Sequence, residues 1–334
     1  MTLPLTRRDF LAVSGALGAG LLTTPDIASA ATYRTKLRKS LIGKPDEKVL
    51  REWKAAGIEG IESNDKAVSV EQAAQSRQMA EKLGMPIHCL LRGWMNFNSP
   101  DPAVVDKEIA ELTDTLRSVA AYGAGAMLLV PCKVGGRPLA PSPDMPMPMP
   151  WEFDIEFDEK TCHVKRVVRG DNSPYQKYIE AQNFATDSSR AAVRRLIPVA
   201  EKCRVVIALE NVWNNLWVKP ALARAFLASF DCPWVQFYFD IGNHLIYAPS
   251  EEWIRTMGKL IARCHVKDFK LAKDGEGKTL GGQFVDIREG DVNWPAVRQA
   301  LEDIGYNGWM TIEGSGRLAL EEKSKRLDLI FAGR

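Results

Sequence analysis

Eight short β-branched or apolar runs, each followed by a longer stretch of helical periodicity, predict an α/β protein of the (β/α)8 TIM barrel class with one insertion after strand four. Three observations carry this. The two periods alternate along the chain after residue 31. The length of 334 residues suits a barrel of ~250 residues plus an insertion. Polar residues gather at strand ends throughout the second half. A doubly wound open sheet is the main rival, but no glycine-rich phosphate fingerprint follows the first strand.

The strand candidates are, in order, "KSLIG", "GIEGIES", "MPIHCLLRG", "GAMLLVPC", "RVVIALEN", "VQFYFDIGN", "IARCHVKDF" and "GWMTIEGS". Helical stretches between them include "DEKVLREWKAAG", "VEQAAQSRQMAEKLG" and "WPAVRQALEDIG". Several end on glycine, as a helix C-terminus prefers, and Pro295 stands where a first turn tolerates it. After the fourth strand, "KVGGRPLAPSPDMPMPMPW" reads as a proline-rich loop, and "EFDIEFDEKTCHVKRVVRG" as a β-hairpin turning near Asp158 to Lys160. This insertion, about 133–178, is expected on the face where the βα loops emerge, as a lid or cap.

Residues 1–30 read as a cleavable twin-arginine signal peptide: Arg7 and Arg8, a mildly apolar stretch from Phe10 to Leu22, and a small-residue Ala28-Ser29-Ala30 site. A periplasmic or exported protein is expected, with residues 31–334 as one barrel domain. No other segment approaches the ~20 apolar residues of a spanning helix, so no stable membrane anchor is expected. The balance of 44 basic against 42 acidic side chains gives no bulk electrostatic reason to bind nucleic acid. The six cysteines show no CxxC pair and lie mostly in apolar runs, which favours buried free thiols.

Function is written at the strand ends. In "VQFYFDIGN", Gln236, Tyr238 and Asp240 share one side and Val235, Phe237 and Phe239 the other, so Asp240 ends the strand. The same ending recurs at Glu210 in "VVIALEN", His265 in "IARCHVKD" and Glu313 in "WMTIEGS". Steps of 30 and 25 residues separate the first three, close to one barrel unit of about 30. The last step, 48, contains "LAKDGEGKTLGGQFVDIREGDVNW", an expected site-lining loop. A lone strand-end Glu is ordinarily salt-bridged, and a lone His is ordinarily a core residue. Four at one phase of successive units converge on one mouth, where three acids would repel unless a divalent cation joined them. Oxygen ligands with one nitrogen suit Mn2+ first, then Mg2+ or Co2+, and tolerate Zn2+.

The endings "ALEN", "FDIGN", "CHVKD" and "TIEGS" resemble those of the xylose isomerase-like TIM barrel superfamily, the sugar phosphate isomerase/epimerase group. The resemblance implies a metal held by Glu210, Asp240, His265 and Glu313, with Glu210 and Glu313 as the catalytic acid/base pair. It also implies a small sugar or keto-sugar substrate. A cation on a ketone oxygen and its neighbouring hydroxyl acidifies the carbon-bound proton between them and stabilises an enediolate. Two carboxylates flanking that carbon then give epimerisation, one shuttling base gives isomerisation, and a leaving hydroxyl gives dehydration.

The expected activity is therefore a carbohydrate isomerase or epimerase. A keto-sugar dehydratase or lyase acting on an inosose or a 3-keto-glycoside is the alternative, and a non-catalytic sugar-binding barrel the third. Asn243 stands where the epimerases place a His, and Leu271 where they place an Arg, while "HVKD" resembles more the inosose dehydratase and related isomerase branches. Substrate-binding candidates are His88, Asn211, Trp213, Asn243 and Lys267. Glu62, Arg92, Lys133, Trp94 and Trp151 are weaker ones. With only four histidines, the chain lacks the supply for the trinuclear zinc cluster of apurinic-site endonucleases. Association is left open between monomer and homo-oligomer.

Overall fold

The computed structural model describes residues 33–334, so the export signal lies outside the described residues. In chain order the first half runs β1 (Leu37–Gly43), α1 (Glu47–Ala55), β2 (Gly60–Ser63), α2 (Val70–Lys82), β3 (Ile87–Trp94), α3 (Pro102–Ala121) and β4 (Ala126–Val130). The insertion carries β5 (Glu156–Phe157) and β6 (Val164–Arg166), and leads into α4 (Gln176–Cys203). There follow β7 (Val206–Leu209), α5 (Pro220–Ala228), β8 (Val235–Asp240), a single turn α6 (Ile241–His244), α7 (Ser250–Met257) and β9 (Ile261–Val266). The chain finishes with β10 (Asp268–Lys273), β11 (Thr279–Val285), α8 (Trp294–Asp303), β12 (Gly308–Ile312) and α9 (Leu320–Phe331).

Eight of these strands close into a parallel barrel in the order β1-β12-β9-β8-β7-β4-β3-β2, and each overlaps one of the eight sequence runs. Closure excludes the open doubly wound sheet. The helices begin where the sequence supplies caps: Asp46 accepts from the Val49 amide, Ser69 and Gln72 form a reciprocal capping box, and Asn293 accepts from the Ala296 amide ahead of Pro295. Leu50 anchors α1 as a fully buried side chain, a burial that contributes about 2 kcal/mol.

Strand β4 shows how the barrel divides its apolar residues. Met127 and Leu129 join the large core between sheet and helices, whereas Ala126, Leu128 and Val130 join a smaller cluster with Cys89, Ala208 and Tyr238 inside the barrel. Much of the remaining interior is polar: Ser40, Glu62, His88, His265 and Thr311 are all buried. Barrels ordinarily fill this space with branched aliphatics, so a polar interior needs internal partners. One device that admits it is a register shift between β2 and β3. Ile61 pairs with Ile87 and Glu62 with Cys89, leaving His88 as the extra residue of a bulge.

The insertion forms the expected hairpin, with Asp158 Oδ1 accepting from the Lys160 and Thr161 amides to shape its turn. The hairpin itself lies off the mouth, while the start of the insertion is tied through Val134 and Gly136 to the loop after β7. His163 meets Asp187, Arg190 donates to the Thr161 carbonyl, and Asn183 brackets Val164, so the hairpin lies along α4 on the barrel flank. A polar α4 face draws it there, and a cleft of about 960 Å3 between the hairpin, α4 and α5 excludes the strand-end acids. The long stretch after β9 does line the mouth, as the antiparallel ribbon β10–β11. All six cysteines are unpaired thiols, four of them buried, and no helix among the described residues is long and apolar enough to cross a membrane.

Candidate metal centre and active site

Parallel strands deliver all their carboxyl ends to one face, and register sets which residues meet there. Asp240 pairs directly with His265 across β8 and β9. The amides of Glu210 and Glu313 each continue the ladder, donating to Leu129 and Val266, so both acids sit one residue past their strands. One ligand atom from each of Glu210, Asp240, His265 and Glu313 can be chosen so that all lie within 4.8 Å of one another. The four residues predicted from strand-end phase therefore form one cluster.

His265 is its centre. Its Nδ1 lies 3.3 Å from Glu313 Oε2, 3.6 Å from Glu210 Oε1 and 4.0 Å from Asp240 Oδ2. These four atoms lack a hydrogen-bond partner among the described residues although they are buried. Lys267 contributes an ion pair, its Nζ standing 2.7 Å from Glu313 Oε2 and 3.3 Å from Asp240 Oδ2. With Glu62 added, four carboxylates share one lysine and one imidazole. Buried like charge of that kind is costly, and a divalent cation bound by three carboxylates and an imidazole would balance it. The cluster thus has the donor set, burial and unsatisfied atoms of a site that could hold a metal ion.

Electrostatics divide the four. Burial pushes the Glu210 carboxyl up to about 7, with His265 opposing. Burial also raises Asp240, partly offset by Lys267. Burial opposes the charge of Glu313 as well, but His265 and Lys267 outweigh it and hold this carboxyl well below its ordinary range. His265 is driven well above the usual histidine value, because Glu62 and Glu313 overcome the cost of burial. Without a cation, burial thus favours the protonated form of Glu210, and the surrounding carboxylates favour that of His265.

The other predicted site residues separate. Lys267 and Asn243 join the cluster's edge: Asn243 donates its amide to Asp240 Oδ1 at 2.7 Å and accepts from Lys267 at 3.3 Å on its side chain. Trp213 stands alongside, its Nε1 donating to the Asn243 carbonyl at 2.8 Å. Asn211 instead braces its own loop, donating to the Leu216 carbonyl at 2.8 Å. That loop is unusual in placing Trp213, Asn215 and Trp217 at positive φ, and Asn214 and Asn215 tie it to the start of the insertion.

His88 is not at the mouth. It is the second residue of β3 rather than a strand end, so it lies deep in the barrel, stacked on Trp309 with ring centroids 4.5 Å apart. Its Nε2 meets the Ser40 hydroxyl at 2.9 Å and the Thr311 hydroxyl at 3.2 Å. The core role, rather than substrate binding, is what this position allows. Arg92 pairs with Glu111 on α3, and Trp94 is exposed at the end of β3. His244 turns away from the cluster into Phe237, Phe239 and Trp253.

Two residues matter more than their sequence context suggested. Tyr238 shares the inward phase of Asp240, and a buried tyrosine hydroxyl needs a partner, which it finds in Glu62. Phe284 of β11 is partly exposed beside Trp213, and Lys267 Nζ lies 5.0 Å from its ring centre, so the ribbon forms an aromatic wall at the mouth. Tight alternation in "GGQFVD" was the available signal for Phe284.

Comparison with known proteins gives three kinds of match. A 145-residue segment is 28% identical to the uncharacterized protein MJ1311 of Methanocaldococcus jannaschii, a match spanning 42% of this chain and 45% of that relative's length. Among solved structures, 3-keto-D-glucoside 4-epimerase from E. coli superposes with a TM-score of 0.63 at 15% identity, covering 89% of this chain and 99% of the other. D-psicose 3-epimerase from Clostridium cellulolyticum gives 0.61 at 17% identity over 88% and 98%. Mannonate dehydratase from Streptococcus suis gives 0.60 at 16% over 89% and 94%. At such identities these likenesses establish the fold. The family model described as xylose isomerase-like TIM barrel matches residues 50–328, and the chain belongs to that family.

Proposed function

We propose that the chain is a divalent-metal-dependent carbohydrate epimerase or isomerase, with Glu210 and Glu313 as the proton-transferring pair. The observation that carries this reading is the convergence of four ligand atoms on one point, three of them carboxylate oxygens that share the single Lys267 ammonium, with the two glutamates at its ends. In the barrel order Glu210 follows β7 and Glu313 follows β12, with β8 and β9 between them. Such a pair can address one substrate carbon from two sides. A bound divalent cation supplies positive charge to a ketone oxygen and its neighbouring hydroxyl, acidifying the proton between them.

One glutamate removes that proton and the other returns one to the opposite face, or a single base carries it to the adjacent carbon. Each carboxylate has two oxygens, so holding a cation and exchanging a proton do not exclude one another. Asp240 and His265 complete the ligand set, with Mn2+ the expected ion. Lys267 steadies Glu313, and Trp213 with Phe284 offers aromatic surface to a sugar face. The likeness to sugar epimerases supports the substrate class at the level of fold.

A second reading, a keto-sugar dehydratase or lyase, is favoured by one feature. Elimination needs a donor for the departing hydroxyl, and the Lys267 ammonium stands at the cluster's edge. Both readings extend to an exported enzyme on the strength of residues 1–30 alone. An NMR screen in D2O of the Mn2+-loaded protein against ketoses, inososes and 3-keto-glycosides tests them: exchange with inversion or isomerisation supports the first, and loss of water the second. Glu313→Gln is expected to abolish deuterium exchange while the fold survives, and full exchange in that variant would remove Glu313 from catalysis. Sugar binding with no exchange at all would leave a binding protein.

A further inference from the structure

An imidazole binds a cation through a bare nitrogen, so in its neutral form the proton sits on the other one. In His265 the two nitrogens face different surroundings. Nδ1 looks into Glu210, Asp240 and Glu313, whereas Nε2 meets Glu62 Oε2 at 3.1 Å on the far side of the ring. Glu62 belongs to β2, three strands from β9 on the β12 side with β12 and β1 between, so this contact crosses the barrel interior. Ala126 and Ala208 add only methyl groups to that interior.

Glu62 is itself fully buried and held in place. The Tyr238 hydroxyl donates to the same Oε2, and the Tyr238 ring packs 4.3 Å from the His265 ring at 49°. Facing the remote nitrogen, Glu62 is turned away from the cluster and is not one of its ligands. From this geometry, and resting on the metal-centre reading above, we propose that Glu62 is the positioning residue of that centre. It accepts the Nε2–H of His265 and so leaves the Nδ1 lone pair aimed at the cation, while Tyr238 orients the carboxylate. Carboxylates in this relation to an imidazole ligand ordinarily contribute a factor of about 10–100 in metal affinity.

The test uses the purified chain freed of metal by a chelator, then titrated with Co2+ and Mn2+ by calorimetry. Glu62→Gln is expected to bind both ions about 10–100-fold more weakly. Tyr238→Phe, which keeps the carboxylate, is expected to lose less. A merely structural Glu62 would lower the melting temperature of the metal-free protein and leave the affinity of the folded fraction unchanged, which overturns the proposal. A readout needing no variant comes from the Zn2+-loaded wild type, where nitrogen–proton correlation of the histidine rings should place the His265 proton on Nε2. A proton on Nδ1 overturns the assignment even if Glu62→Gln does not fold. Failure of the wild type to take up any divalent ion would bring down the metal centre itself, whereas uptake unaffected by Glu62→Gln would bring down only the role of Glu62.

Discussion

His88 and His265 are both buried inside one barrel, yet they end in opposite states. Around His88 the neighbours are two hydroxyls and an indole, with Arg263 and His265 nearby as positive charges. Burial, seconded by Arg263, drives it well below the ordinary histidine value, and it serves as a neutral packing piece. Around His265 the neighbours are carboxylates, which overturn the same burial penalty. Residue type and burial are shared, so the difference comes from which side chains lie nearby. Deeper in the barrel His88 Nε2, Ser40 and Thr311 meet one another, and the mouth collects acids that nothing among the described residues fully neutralises.

The strongest way to break this contrast is to make one substitution at both sites. His265→Leu removes a ligand nitrogen and is expected to weaken Mn2+ binding by two orders of magnitude or more, at roughly 3 kcal/mol per ligand of a four-ligand site. It should also abolish deuterium exchange. His88→Leu leaves the Ser40 and Thr311 hydroxyls without their shared partner, which should cost about 2 kcal/mol of stability. Metal affinity there should stay within about threefold, because His88 touches no member of the cluster. Calorimetric titration and urea unfolding of both variants check the pair, and a metal-binding defect in His88→Leu would erase the distinction.

The next effect is in pH. His244, buried among aromatic rings, is lowered to about 4, so its contribution is present above the ordinary histidine value of about 6.5 and lost as pH falls toward 4. The mouth behaves in reverse. Glu210, raised to about 7, and His265, raised well above its usual value, both hold protons in the folded protein that the unfolded chain has released. The Glu210 contribution is lost as pH rises from about 4.5 to 7, and that of His265 as pH rises above about 6.5. The His244 and Glu210 shifts are each worth about 3 kcal/mol. Melting temperatures in EDTA should therefore be nearly level from pH 5 to about 6.5, where the His244 and Glu210 contributions oppose one another, and fall above it as the folded protein keeps the His265 proton. Mn2+, which needs both ligands deprotonated, should instead turn the profile into a rise with pH. Identical profiles with and without the ion would count against a metal at the mouth.

The smallest effect concerns Lys267, which supplies positive charge where a cation would bind. Lys267→Met is expected to raise Mn2+ affinity several-fold, roughly 1 kcal/mol, and to lower the melting temperature of the metal-free protein. Weaker binding in this variant would show that the ammonium supports the cation site rather than competing with it.

The two histidines also mark what could be read in advance. Asp240 and His265 were legible because a strand alternates its side chains with period two, and successive barrel units return that phase to the same end. Glu210 and Glu313 followed from the same arithmetic, and the ribbon after β9 from its surplus length. His88 offered equal chemistry at the wrong end of its strand, and the bulge that turns it inward leaves no sign in "MPIHCLLRG". The insertion was visible as a hairpin, but its path along α4 depended on Asn183, Asp187 and Arg190, which no local pattern ties to it.

By itself, then, the sequence determined the alternation of strands and helices, the closed barrel, and the set of four strand-end side chains, because each depends on local periodicity and even spacing. Only the tertiary structure decided that Glu62 reaches His265 across 203 positions of chain, that Tyr238 holds it there, and that Lys267 sits between two of the acids. Those contacts cross the barrel interior or join neighbouring strand ends. They are set by closure, register and the small side chains that leave room, quantities that belong to the folded sheet and to no single stretch of it.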